Sequence, residues 1–369
     1  MLFHSTRGGD KNRTFEDILM QGLASDGGLF MPDFWPQVDL ESLANKSSFI
    51  DIAKEIVPLF TSSSFDDEVV LSILDNTWHD FAYEDRIEIY ELLEEYDKAL
   101  SDYTSLIKLD PNSGTYYDRA NFYQYIIKDS FDLALKDYAK SIELSTDNRS
   151  KAGSYNNRAN IYYGQKKWEL CIDEYTKAIE INPETDYYYT NKGLAYKGLK
   201  NYDLALEHYN KALEIKENWK TYYKRAKLYE LMENFKNAEY DYSKAIDLDK
   251  ENPWVHVYRA EFYKKQGEYT LAVKDYDNAL KLKEDHYWYF SRADILNYNL
   301  KQYDLSIKDY NKALELHSKY SWAYMDRGDA YKSLEKYDLA LLDYTEAIKL
   351  NPEKTYFYLK RGNIYQDLE

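Results

Sequence analysis

From Tyr83 onward the apolar and polar positions of the chain follow one recurring scheme, Ala-x-x-x-Tyr-x-x-Ala, with Tyr at 103, 138, 175, 209, 242, 276, 310 and 344. Intervals of 33 to 37 residues separate successive Tyr. A period near 34 with apolar positions at helical spacing predicts two helices per unit. Small residues stand where two helices must approach closely: Ala99, Ala134, Ala205, Ala238, Ala272 and Ala340 before the Tyr, and Ala178, Ala212, Ala245, Ala279, Ala313 and Ala347 after it. Cys171 and Ser306 replace the first small residue, Leu106 and Ser141 the second, and the second unit carries two extra residues near Ile126 to Asp129. The first helix of a unit shows Arg or Lys, a small residue and then an aromatic, as in RANIYY from 158, KGLAY from 192, RAKLY from 225 and RGDAY from 327. Eight full units and the first helix of a ninth are expected over residues 81 to 369.

Residues 1 to 80 are patterned differently. Leu2 to Thr6 is extended, Thr14 is an N-cap with Asp17 three residues on, and Phe15, Ile18, Leu19 and Leu23 share a helical face. Asp26-Gly27-Gly28 breaks that helix, Leu29 to Met31 can return as a strand beside the first, and Phe49 to Phe60 and Ser64 to Phe81 read as amphipathic helices. This stretch contains no Tyr but 5 of the 13 Gly and 3 of the 7 Pro, which places a domain boundary near residue 80. With neither Gly nor Pro from 59 to 110, its last helix is expected to run into the first repeat and cap that end of the array. HSTRG at 4 to 8, TFEDILMQGLASDGGLFMP at 14 to 32 and FIDIAKEIVPLF at 49 to 60 resemble the N-terminal domain of threonine synthase, a pyridoxal-phosphate enzyme. In that family a Phe-Lys-Asp stretch follows whose Lys forms the Schiff base, and then phosphate-binding loops rich in Gly, Ser and Thr. Neither follows here, so the resemblance implies neither catalysis nor a cofactor.

The period of 34, with YDLALEHYNKALEI and YDLALLDYTEAIKLNP as second helices, resembles the tetratricopeptide repeat. The resemblance implies a mainly all-α fold, a solenoid of helical hairpins behind a small α/β N-terminal domain, and an interaction scaffold that binds a peptide or protein segment in its concave groove. Tyr117, Tyr163, Tyr187, Tyr223 and Tyr258, with Trp254, Phe290 and Trp322, fall on the face that lines the groove in that family. Asn156, Asn160, Asn191, Lys220 and Lys224 fall where some members place a clamp for the C-terminal carboxylates of chaperones, although Asn156 stands where that clamp has Lys. The candidate groove set is therefore Asn156, Asn160, Asn191, Lys220, Tyr223, Lys224, Trp254 and Tyr258.

Charge sharpens this picture. The chain carries a net charge of −17, which disfavours a nucleic-acid partner. Yet the first helices of repeats three to five, residues 153–166, 187–200 and 219–232, together carry +8. With a Debye length of roughly 8 Å in physiological salt, a ligand feels that local excess, so a partner with an acidic C-terminus is expected. Asp102, Asp137, Asp241, Asp275, Asp309 and Asp343 recur just before the marker Tyr, and recurrence at the repeat period makes them structural partners of Arg or Lys. The six His are scattered singly and the one Cys, Cys171, cannot form an internal disulfide, so neither a metal site nor a disulfide framework is expected. A mean hydropathy of −0.74 and the lack of a long apolar run exclude a membrane helix, and the chain reads as cytosolic. Tyr356, Tyr358, Ile364 and Leu368 near an uncapped C-terminal end are expected to favour self-association or to fray. Two rival readings remain: a threonine-biosynthesis protein whose front domain docks with or replaces part of a synthase, and a gene fusion in which only the repeats function.

Overall fold

The structure, a computed structural model, describes residues 3–5, 30–32 and 79–368. The chain divides into two compact units, residues 1–161 and 162–369, each described here by itself. In the first unit strand β1 (Phe3–Ser5) pairs antiparallel with β2 (Phe30–Pro32), His4 opposite Met31, as the front segment's pattern predicts. The helices expected within 14–24, 49–60 and 64–78 lie outside the described residues.

Everything else among the described residues is helix and turn. The first unit holds α1 (His79–Leu92), α2 (Tyr96–Leu109), α3 (Ser113–Tyr125), α4 (Phe131–Leu144) and most of α5 (Asn148–Gly164). The second holds α6 (Trp168–Ile181), α7 (Asp186–Gly198), α8 (Tyr202–Ile215), α9 (Trp219–Leu231), α10 (Phe235–Leu248), α11 (Pro253–Gln266) and α12 (Tyr269–Leu282). It continues with α13 (His286–Asp294), α14 (Tyr303–Leu316), α15 (Ser321–Ser333), α16 (Tyr337–Leu350) and α17 (Thr355–Asp367). Odd-numbered helices are the first helices of repeats one to nine.

Each hairpin turns on a single left-handed residue: Glu94, Asp129, Lys166, Lys200, Glu233, Gly267, Lys301 and Glu335. In six of them the next N–H donates back to the carbonyl of a first-helix Tyr, as from Lys167 to Tyr162 at 2.9 Å and from Glu268 to Tyr263 at 2.9 Å, which satisfies an orphan helix carbonyl. Only Gly267 takes this conformation without a Cβ penalty.

The marker Tyr and the flanking Ala build the core. Tyr138, Tyr209, Tyr276, Tyr310 and Tyr344 are fully buried, as are most of the Ala that precede and follow them. Buried phenols need partners, and most find one on the first helix of the same hairpin. Tyr103 donates to Glu91 at 2.9 Å, Tyr138 to Asn121 at 2.6 Å, Tyr310 to Asp294 at 2.8 Å and Tyr344 to Asp329 at 2.7 Å. Tyr242 and Tyr276 donate to Glu230 and Glu261.

The recurring Asp are the structural partners that their period implies. Arg119 grips Asp137 through Nε at 2.6 Å and Nη2 at 2.9 Å, Arg225 grips Asp241 at 2.7 and 2.7 Å, and Arg259 grips Asp275 at 2.7 and 2.8 Å. Arg292 with Asp309 and Arg327 with Asp343 repeat the fork, and Arg86 meets Asp102 at 2.7 Å. The fork's remaining nitrogen reaches the preceding repeat, as from Arg225 to Asn210 at 2.6 Å and from Arg259 to Ser243 at 2.9 Å, so one guanidinium ties three helices.

Repeat four breaks both rules. Lys192 and His208 occupy the Arg and Asp positions, and Leu194 and Lys197 stand where other repeats supply an acceptor for the Tyr. The Tyr209 hydroxyl accordingly has no hydrogen-bond partner among the described residues. Burial and Lys192 hold His208 down at about 4, and burial lowers Lys192 as well, so the pair offers no attraction to replace the ion pair. His208 instead stacks flat on Tyr196, centroids 5.2 Å apart. The double change Lys192→Arg with His208→Asp is expected to raise stability by about 1.5 kcal/mol, the scale of a charge-assisted hydrogen bond. Urea unfolding of the double and both single variants measures it, and a double variant no more stable than wild type would refute the reading. Repeat seven departs differently: α13 continues as a π turn over Ile295–Asn299, which takes up one extra residue, so Arg292 and Asp309 lie 17 apart where the pairs of repeats six and eight lie 16 apart.

Candidate groove on the first helices

The first helices α7, α9 and α11 of repeats four to six touch one another in the second unit and carry six of the eight candidate residues. Tyr223 and Tyr258, both half-buried, stack at 4.1 Å with 26° between their planes. Trp254 continues the strip, 6.2 Å from Tyr258 and edge-on to the buried Trp288 at 5.0 Å, and it is 45% exposed. Repeats five and six thus present one aromatic surface of which only part is needed for the core.

Two lysines border this surface. Lys220 and Lys224, four residues apart on α9, share a face. Lys220 is exposed, its ammonium 5.7 Å from the Trp219 ring. Lys224 is half-buried and no carboxylate bonds it among the described residues; burial and the neighbouring Lys220 lower its affinity for the proton. Lys197 is shifted the same way by burial and by Lys227. On α7 the Asn191 amide is half-buried and bonds nothing among the described residues. A desolvated cation, an uncommitted amide and a flat aromatic surface on neighbouring first helices suit a carboxylate carried on an extended chain.

The remaining two candidates, Asn156 and Asn160, belong to the first unit. Asn156 is buried and donates its Nδ2 to Asn157 Oδ1 at 3.0 Å, while its own Oδ1 has no partner among the described residues. Asn157 in turn donates to the hydroxyls of Tyr117 at 3.0 Å and Tyr138 at 3.3 Å. Asn160 hydrogen-bonds Tyr125. In that unit Asn156 thus joins a network around Tyr138, and Asn160 pairs with Tyr125.

A second polar feature lies on the first helices of repeats seven to nine. Asp294, Tyr298, Asp326, Asp329 and Lys360 come together there, beside a cavity of about 310 Å³ lined by residues including Asn297, Lys332 and Asn363. Periodicity did not reveal it, because these residues occupy positions that vary between repeats. Among the described residues no group of His, Cys, Asp or Glu could hold a metal ion, and no helix is long and apolar enough to cross a membrane.

Comparison with known families agrees with the periodicity. Families described as Tetratricopeptide repeat match residues 150–218, 220–252, 259–321 and 321–354. The chain belongs to the tetratricopeptide-repeat family. The family described as Threonine synthase N terminus matches residues 2–78. This tetratricopeptide-repeat protein is also 39% identical over 95 residues to threonine synthase-like 2 of Xenopus laevis, covering 25% of the chain and 20% of that protein. It is 46% identical over 63 residues to threonine synthase of Saccharomyces cerevisiae, covering 16% of the chain and 12% of that protein. The chain thus spans about a fifth or less of these relatives' length. Among solved structures, YrrB, described as a TPR protein with an unusual peptide-binding site, aligns at TM-score 0.44 and 25% identity over 51% of this chain and 97% of its own.

Proposed function

We propose that this tetratricopeptide-repeat protein is an interaction scaffold whose repeats four to six hold an extended, acidic protein segment. The observation that carries the reading is Lys224: a half-buried ammonium with no carboxylate partner among the described residues, beside exposed Lys220 and the Tyr223–Tyr258–Trp254 surface. A buried charge without a partner is costly, and an incoming carboxylate removes that cost. Aromatic rings supply area at little conformational expense, the usual make-up of a binding hot spot. Asn191 can donate to the same anion, and the clamp resemblance of Asn191, Lys220 and Lys224 points to a C-terminal carboxylate. The test is calorimetry of the full chain with a short peptide ending in acidic residues, against its C-terminally amidated form and at raised salt. Weaker binding of the amidated form and loss of affinity with salt support the reading; absence of binding by the free-acid peptide refutes it.

The match of residues 2–78 to the threonine synthase N terminus favours a second reading, in which that segment docks with or replaces part of a pyridoxal-phosphate-dependent synthase. On either reading the chain itself is proposed not to be an enzyme, since the Schiff-base Lys and phosphate loops expected after such a domain are replaced by repeats. Protein incubated with pyridoxal phosphate and desalted should then keep no Schiff-base absorption band. A band that survives would overturn this assignment.

A further inference from the structure

Tyr298, in the π turn that ends the first helix of repeat seven, faces two carboxylates of repeat eight. Its hydroxyl lies within hydrogen-bond distance of Asp326 Oδ1 and, at 3.0 Å, of Asp329 Oδ2. A phenol carries one hydrogen and can donate to only one of them. Asp329 is well supplied as an anion: Tyr344 donates to its Oδ1 at 2.7 Å and Lys360 to its Oδ2 at 2.7 Å. Asp326 is 5% exposed and no cation bonds it among the described residues. The three oxygens are all satisfied when Asp326 brings a hydrogen of its own, donating to Tyr298 Oη while Tyr298 donates to Asp329 Oδ2.

We propose that Asp326 is held as the neutral acid at neutral pH, and that its ionisation acts as a proton-linked switch on the packing of repeat seven against repeat eight. The groups facing it from each side favour this. Asp294 and Tyr298 come from α13, Tyr310 from α14 donates to Asp294 at 2.8 Å, Asp329 shares α15, Tyr344 comes from α16, and Lys360 and Tyr356 come from α17. Lys264 acts on Asp294, and Tyr320 precedes α15. Lys360, the one cation among them that acts on Asp326, is already bound to Asp329. Burial first, then the Asp294 and Asp329 charges, push the Asp326 carboxyl up to about 8. Asn297 Nδ2 also donates to the Asp326 carbonyl at 3.3 Å, so the same residue joins the two helices through its backbone.

The sign follows from linkage. A carboxyl that holds its proton more tightly when folded than when unfolded adds stability that is complete below about pH 4 and is lost as pH rises through the folded value. The full-length protein and Asp326→Asn are therefore compared by urea unfolding from pH 5 to pH 9, and by carbon-13 NMR of aspartate-labelled protein. The wild-type midpoint should fall across this range more steeply than that of Asp326→Asn. One carboxyl carbon titrating well above pH 6 should be present in the wild type and absent in the variant. Equal slopes, or the absence of any carboxyl titrating above pH 6, would overturn the proposal. Should Asp326→Asn fail to fold, Tyr298→Phe keeps the ring and removes the hydroxyl; it should move the high carboxyl midpoint, and an unmoved midpoint overturns the proposal equally.

Discussion

Asp241→Ala should cost the protein about 3 to 5 kcal/mol, because it leaves a buried guanidinium without its counter-charge. Asp241 is fully buried and receives Arg225 Nε and Nη2, each at 2.7 Å, while Arg225 Nη1 extends to Asn210 in the preceding repeat. Burial raises the Asp241 carboxyl above the usual carboxylate range even against the pull of Arg225, so this pair is expensive to desolvate. Its value to the fold lies in being complete: with Asp241 missing, two nitrogens of a largely buried guanidinium lose their acceptor and only the bond to Asn210 remains. Lys140→Ala provides the contrast, since its pair with Glu143 is exposed to water and a screened surface pair of this kind contributes little. Urea unfolding of both variants separates the cases. Similar losses in the two would mean that the forks are decoration and that the Tyr and Ala contacts alone hold the hairpins.

The double change Lys220→Glu with Lys224→Glu should weaken binding of an acidic peptide at least tenfold, while leaving the helix content intact. Both side chains lie on one face of α9, and among the described residues neither is bonded to a carboxylate that the change would strand. Charge reversal at exposed Lys220 costs little by itself, since exposed pairs are screened. Lys224 is the sensitive position, because its half-buried ammonium meets a ligand with less water between. Loss of one partner from a desolvated charge-assisted contact costs about 1.5 to 3 kcal/mol, which is tenfold or more in affinity. Calorimetry with the free-acid peptide measures it, and an unchanged dissociation constant would place the peptide elsewhere on the molecule.

What the sequence disclosed depended on recurrence. Tyr138, Tyr276 and Tyr344 could be assigned to the core because the same residue returns at the same place, and Asp241 and Asp275 could be assigned to ion pairs for the same reason. Recurrence says little about the positions that differ from repeat to repeat, and those are the positions that line a groove. The residue just before the fork cation illustrates this: it is Asp118, Asn157, Asn191, Lys224, Tyr258, Ser291, Asp326 and Lys360 along the array. Reading that one column would have flagged Lys224 and Asp326 together. The sequence picked out the first through a charge count and missed the second, since a lone Asp in an acidic chain carries no signal until Tyr298 and Asp329 are seen beside it. The missing ion pair of repeat four was visible as Lys192 and His208 but was not read, because KGLAY preserves the pattern of cation, small residue and aromatic.

The π turn at Ile295–Asn299 bears on how such arrays tolerate insertions and deletions. The marker Tyr of repeats six, seven and eight, at 276, 310 and 344, keep an even step, whereas the fork Arg at 259, 292 and 327 do not. The extra residue between Arg292 and Tyr310 is taken up inside a helix, as a five-residue loop of backbone in place of a four-residue one, and one residue fewer between Tyr276 and Arg292 keeps the marker step even. The unit of inheritance in this chain is then the packed interface between helices rather than the count of residues within them. A single-residue gain or loss can persist in a lineage wherever a helix has room to coil more loosely, leaving an alignment by length to conceal it.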